Sequence, residues 1–166
     1  GGVDPYSASK ASSELIIRAY RESFFKKKKK CGISSVRAGN VIGGGDWSAK
    51  RLIPDCIRSL IKNKVILLRN PKSVRPWQLV LEPLKGYLIL AKKQFENPLK
   101  YSGAWNFGTN LKSKTNVHQI VRYMINFWGK GKIKNLKNKN FYEHLNLQID
   151  PAKAKEEPHC PAPVSV

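Results

Sequence analysis

Acid is scarce in this chain: 11 aspartates and glutamates stand against 31 lysines and arginines, a formal charge of +20. An excess of that size invites a nucleic-acid reading. Its make-up argues against one. Of the bases, 23 are lysine and 8 are arginine, whereas arginine is the usual reader of base edges. A diffuse lysine surface is ordinarily just solvated, and an anionic small substrate suits the charge equally well. Cysteine is scarce too. Cys31, Cys56 and Cys160 are far apart, odd in number and without metal-ligand spacing, which points to a reducing, cytoplasmic setting and no metal. No apolar run reaches the length of a bilayer span, and no basic-then-apolar leader opens these residues, so no membrane partner is expected. There is no internal repeat. Apolar residues make up 41% of 166, enough for a globular domain or a piece of a larger one.

What is there begins at Asp4-Pro5-Tyr6-Ser7-Ala8-Ser9-Lys10. Asp4-Pro5 is a helix opening, a capping acid followed by proline at the first helical position. Tyr6 and Lys10, four apart, then share one helix face. A phenol ordinarily keeps its proton until about pH 10, and a neighbouring ammonium favours the phenolate. The pair can therefore move a proton at neutral pH. Spacing alone carries little, since this much lysine gives roughly 0.8 such pairs by chance. The filling adds to it: Ser7, Ala8, Ser9, Ala11, Ser12 and Ser13 are small and would let a flat ligand approach.

Periodicity predicts a helix over 5–25, with Leu15, Ile16, Ala19, Tyr20 and Ser23 recurring on one side. The run Lys26–Lys30 ends it as an exposed loop. Ile33–Val41 reads as a buried strand closing on Gly39-Asn40, and Gly43-Gly44-Gly45-Asp46 as a turn needing unusual backbone angles. A helix is predicted over 50–63, with an apolar stripe of Leu52, Ile53, Cys56, Ile57, Leu60 and Ile61. A strand follows at Val65–Leu68, an extended stretch at Val74–Leu81, and a helix from Glu82-Pro83 to about Phe95. Ala104–Gly108 is read as a strand and Thr115–Trp128 as a helix with Val117, Ile120, Val121, Met124, Ile125 and Trp128 inward. Gly129–Lys139 is weakly patterned, and Leu145, Leu147 and Ile149 alternate as a strand. Asp150-Pro151 opens a short helix, and 158–166 reads as an unstructured tail. Trp47, Trp77, Trp105 and Trp128 are read as core or hinge packing; His118 and His144 receive no role. Helices and strands alternate, so the class is α/β.

Tyr6-Ser7-Ala8-Ser9-Lys10 resembles the tyrosine–lysine motif of the extended short-chain dehydrogenase/reductase family, the NAD-dependent epimerases and dehydratases. Three longer blocks resemble the CDP-glucose 4,6-dehydratases within it: Asp4–Ala11, Val36–Trp47, and Arg75–Gln78 with Val80–Leu84. Trp105–Gly108 is a shorter fourth, and the resemblance runs to about residue 155. It implies the C-terminal part of a Rossmann-type doubly wound parallel sheet plus a small mixed α/β substrate-binding lobe. Residues 1–41 and about 82–108 would be the remainder of the NAD-binding domain, with 42–81 and 109–157 the substrate lobe. It further implies NAD as cofactor and a nucleotide-sugar substrate, CDP-glucose being converted to CDP-4-keto-6-deoxyglucose in deoxysugar (O-antigen) biosynthesis. In such enzymes hydride leaves carbon 4, water is lost across carbons 5 and 6, and the hydride returns to carbon 6. Carried over, Tyr6 is the base and Lys10 holds the nicotinamide ribose, with Ala38 also on the cofactor side. Asn40 contacts the substrate, Arg75 grips its diphosphate with a guanidinium fork, and Arg51 and Arg69 supply nearby contacts. A homodimer through the helix after Tyr6 is implied as well.

Each residue also has a plainer reading. Asn40 beside Gly39 suits a turn, and Arg75 could stack on Trp77. A sister epimerase would share Tyr6 and Lys10, and a non-enzymatic basic binding fragment would need only the charge. The family's glycine-rich turn, the serine or threonine of its catalytic group and its acid/base pair for water loss are not among these residues. Leu79 stands where the family usually has histidine, and Glu156 onward loses its usual Gly-Trp-x-Pro close. The expectation is a truncated or frame-disrupted product that does not turn over by itself.

Overall fold

A computed structural model describes residues 4–27, 30–109, 115–136 and 149–157. In chain order these form α1 (Pro5–Tyr20), a π-helical turn (Arg21–Phe25), β1 (Ser34–Ala38), β2 (Val41–Ile42), α2 (Leu52–Ile61), β3 (Ile66–Leu68) and β4 (Gln78–Leu79). There follow α3 (Leu81–Glu96), α4 (Pro98–Tyr101), β5 (Gly103–Phe107), α5 (Val117–Trp128), β6 (Ile133–Asn135) and α6 (Ala152–Glu156). The expected α/β class is what forms, and all three strand pairs are parallel. Leu145, Leu147, His144, Cys160 and the tail at 158–166 lie outside the described residues; Ile149 is irregular.

The chain divides into two compact units, the first made of residues 1–38, 82–107 and 150–162. Its sheet pairs β1 with β5 in the register Ser34↔Gly103 to Ala38↔Phe107. A parallel pair needs a crossover, and the 64 residues 39–102 separate these strands, α3 among them. Leu90 of α3, Tyr101, Trp105, Phe107 and Ala154 of α6 form the core. Gly86 is what lets α3 lie on β5, because a Cβ there would overlap the Phe107 ring. Residues 150–157, grouped in the sequence reading with the other lobe, pack here. Lys153 of α6 lies 3.9 Å over the Trp105 ring and donates to the Ala104 carbonyl, while Asn106 donates to the Asp150 carbonyl.

Glu14 of α1 docks on β1. Its carboxylate accepts from Arg37 Nε at 2.7 Å and Nη2 at 2.6 Å, and from Ser35 Oγ at 2.9 Å. The Arg37 bonds, with help from Ser35, hold the Glu14 carboxyl below the usual range, against the opposing effect of burial. A depressed carboxyl contributes stability that is present above its unfolded pKa, about 4.3, and is lost as pH falls through the folded value. Wild type is therefore expected to lose its advantage over Glu14→Gln on going from pH 7 to pH 3 in urea titrations. A gap independent of pH would mean the carboxylate is not what is being lost. The group is partly exposed, so the gap is screened and modest.

The second unit comprises residues 39–81, 108–149 and 163–166. Here β2 pairs with β4 and β3 with β6. Cys56 and Leu60 of α2, Ile66 and Leu68 of β3, and Val121 of α5 make its core. Burial pushes the Cys56 thiol up to about 12, so it is a neutral packing group. A capping box, Asn116 with Gln119, starts α5, and Gly129 at φ 86° closes it. Gly45, at φ 81°, supplies the unusual angle expected of its turn.

The structure corrects several expectations. The strand read across 33–41 is two, β1 and β2, broken at Gly39-Asn40. β6 arises in the stretch read as weakly patterned: Ile66 N donates to the Lys132 carbonyl and Leu136 N to that of Leu68, both at 2.8 Å. Three residues with one inward side chain leave no alternation to detect. Trp47 and Trp128 are exposed, unlike Trp77 and Trp105. Leu15, Ile16 and Tyr20 are exposed as well, and α1 buries no residue.

Candidate active site

Tyr6 and Lys10 are set by the start of α1. Asp4 caps it, accepting from Ser7 N at 3.0 Å and Ser7 Oγ at 2.6 Å. Those bonds, the hydroxyl first, hold the Asp4 carboxyl below its ordinary range, so the cap is charged at neutral pH. One turn on, Lys10 Nζ lies 5.5 Å from the centroid of the Tyr6 ring. Tyr6 is 72% exposed. The small residues between have a second use: Ser9 Oγ donates to the Tyr6 carbonyl at 2.7 Å and Ser13 Oγ to that of Ser9 at 3.0 Å. Turned back on the backbone, these hydroxyls leave the face beside Tyr6 low. Ala38 closes β1, at the carboxyl end of the parallel pair. Ligands of parallel α/β sheets bind outside such ends. An exposed phenol and ammonium thus share one face of α1, and a methyl-sized side chain ends β1 at its carboxyl end.

The second unit places Asn40 directly before β2 and Arg75 three residues before β4, the strand paired with β2. Gln78 N donates to the Asn40 carbonyl at 3.0 Å and Val80 N to that of Ile42 at 2.8 Å. Gly39 makes this possible: a Cβ there would lie 2.6 Å from Pro76 Cγ. Asn40 is half-buried, and Arg75 is only 7% exposed, its Nη1 donating to the Val74 carbonyl at 2.9 Å. Pro76, Trp77 and Gln78 beside it are buried too. Arg51 stands at the N-cap of α2 and binds Asp46 Oδ2 at 3.1 Å, so a phosphate there would compete with that carboxylate. Arg69 follows β3, exposed. The first three candidates, Tyr6, Lys10 and Ala38, thus belong to one unit and the other four to the second. Sequence reasoning did not foresee the burial of Ser73, whose hydroxyl leaves no local pattern, and it set Trp77 down as packing.

Residues 2–106 match the model of the NAD dependent epimerase/dehydratase family. The chain is 45% identical over 159 residues to CDP-glucose 4,6-dehydratase of Salmonella typhimurium, covering 93% of this chain and 44% of that protein. Among solved structures it is similar to dTDP-glucose 4,6-dehydratase of Bacillus anthracis in complex with NAD, with TM-score 0.74 and 22% identity over 92% of this chain and 45% of that one. It is similar also to DesIV, a dTDP-glucose 4,6-dehydratase of Streptomyces venezuelae with NAD and TYD bound. There the TM-score is 0.76 and the identity 20%, over 97% of this chain and 47% of that one. The chain therefore spans under half the length of each of these relatives, and the two structures share its fold.

Proposed function

The chain belongs to the NAD dependent epimerase/dehydratase family, and from that premise we propose that it serves a sugar-nucleotide 4,6-dehydratase acting on CDP-glucose. The observation that carries this reading is the 45% identity to the Salmonella CDP-glucose 4,6-dehydratase, which covers 93% of this chain. In this reading the first unit holds NAD and the second the nucleotide sugar. NAD, when bound, supplies the oxidant that takes up and gives back a hydride. Tyr6 accepts the sugar 4-hydroxyl proton, and Lys10 holds the nicotinamide ribose. Ala38 leaves room for the cofactor at the strand end. Arg75 grips the diphosphate, Asn40 bonds the sugar, and Arg51 and Arg69 add charge nearby. The working form is a cytoplasmic homodimer, with neither nucleic acid nor membrane as partner. The exposed apolar residues of α1 support pairing of that helix with a second copy. No described helix is long and apolar enough to cross a membrane.

The test is a chimera in which this chain replaces the matching stretch of the Salmonella enzyme. Given NAD and CDP-glucose, it is expected to form the 4-keto-6-deoxy sugar. A folded, NAD-binding chimera that leaves CDP-glucose untouched would refute the reading, and one that inverts carbon 4 without losing water would move the chain to the epimerases.

A further inference from the structure

The second unit is short of acid. Its described residues hold two carboxylates, and each is already bonded to an arginine, Asp46 to Arg51 and Asp55 to Arg58. No described carboxylate of this unit remains for its lysines. Three of those lysines meet at one place. A cavity of about 570 Å³ is lined by Lys64, Lys130 and Lys132, with Asn63 beside them and Leu60 and Val65 as its apolar wall. Lysine makes up 23 of the 166 residues of the chain but three of the seven that line this cavity. The charge that the sequence spreads thinly is here gathered.

The backbone keeps it gathered. Lys64 N donates to the Ser59 carbonyl at 2.8 Å, Asn63 N to that of Leu60 at 3.1 Å, and the Lys132 carbonyl accepts from Ile66 N at 2.8 Å. Gly131 completes the lining. A Cβ there would lie 2.8 Å from Leu60 Cδ2 and 2.9 Å from Ile125 Cγ1, so the segment Lys130–Lys132 lies closer to α2 and α5 than a side chain at 131 would allow. A smaller cavity of about 330 Å³ shares Gly131 and is lined by His118 and Arg122, again without an acid.

Like charges drawn together repel, and that repulsion opposes folding. An anion from outside the chain relieves it. The apolar wall adds a second demand. Leu60 belongs to the core and Val65 is 43% exposed, so the wall stays wet until something apolar covers it. A mostly apolar recess of a few hundred Å³ with a few charged groups at its rim is the ordinary form of a small-molecule site. It is not the place assigned to the nucleotide sugar. Lys64 and Val65 precede β3 and Lys130–Lys132 precede β6, its parallel partner, whereas Arg69 follows β3. The cavity is thus at the amino end of this strand pair, roughly 10 Å of strand from the other. We propose that it binds a small amphipathic anion: a carboxylate, sulfonate or phosphate ester carried on an apolar body. The inference goes beyond the function proposed above and does not rest on it.

The experiment titrates 8-anilinonaphthalene-1-sulfonate into the full chain at fixed ionic strength, followed by fluorescence and calorimetry. N-phenyl-1-naphthylamine, the same rings without the sulfonate, and inorganic sulfate, the anion without the rings, are titrated in parallel. The sulfonate dye is expected to bind at least tenfold more tightly than either. Lys64→Glu with Lys132→Glu should weaken it tenfold or more. Lys85→Glu with Lys92→Glu, the same change of charge on exposed residues of α3, should leave it within twofold. Both pairs are exposed, so melting curves should stay close to wild type. Equal loss in the two double variants would reduce the effect to net charge and overturn the assignment. So would a dye affinity that Lys64→Glu with Lys132→Glu leaves within twofold, equal binding of the neutral dye, or no dye binding by wild type.

Discussion

Tyr6→Phe is expected to lower turnover of CDP-glucose by the chimera about 10²- to 10⁴-fold, the range that a positioned general base contributes. The KM should move little, because the ring that meets the ligand remains and only the hydroxyl is lost. Folding cannot account for the loss in advance. The Tyr6 ring is exposed and α1 buries no side chain, so the variant should melt within about 1 °C of its parent, as surface changes usually do. Lys10→Met tests the other half of the pair. It removes the ammonium 5.5 Å from the ring centroid and should lower activity and weaken NAD binding together. A Tyr6→Phe chimera retaining more than a tenth of its parent's rate would show that the proton goes elsewhere.

Trp105→Ala is the substitution expected to damage the fold most, by about 3–5 kcal/mol in urea titrations, as for other buried aromatics cut back to alanine. The ring is 3% exposed in the centre of β5. Its Nε1 donates to the Tyr101 carbonyl at 2.9 Å, and its face receives the Lys153 ammonium at 3.9 Å. Truncation opens a cavity among Leu90, Tyr101 and Phe107 and releases both polar contacts. Against a total stability of roughly 5–15 kcal/mol, that is enough to unfold much of the first unit at 37 °C. Trp105→Phe should cost clearly less, since it keeps most of the volume. Leu15→Ala, on the exposed side of α1, should change stability by no more than about 0.5 kcal/mol when the chain is studied by itself. Equal losses at Trp105 and Leu15 would mean that α1 is covered in solution and that its exposure here does not describe the folded chain.

These two positions also show where sequence reasoning works. Both are large hydrophobic residues in patterned segments, and periodicity treats them alike. It reports that one side of α1 is apolar, but not whether anything lies against that side. The same limit applies to Arg75. A guanidinium in an extended, proline-interrupted stretch carries no sign of burial, yet four residues in a row from Arg75 are buried. The cause is the pairing of β2 with β4, whose closeness depends on Gly39 meeting Pro76. That the Ser73 hydroxyl and the Trp77 indole N–H find no partner among the described residues left no mark in the sequence, because want of a partner is a property of surroundings.

What the amino-acid order determined by itself is local: the Asp4 cap, the shared face of Tyr6 and Lys10, the box that starts α5 and the left-handed turn at Gly45. Each depends on groups within about one helical turn, so a few neighbouring residues suffice to specify it. Family membership was legible for a related reason, since the chemistry needs those residue types in those short blocks. Tertiary structure alone decided the pairing of β1 with β5, β2 with β4 and β3 with β6, the docking of Glu14 on Arg37, the place of α6, and which tryptophans and which arginine are dry. These join residues tens of positions apart, through strands as short as two or three residues. Strands that short carry no period to read, and burial comes only from what the rest of the chain places beside them.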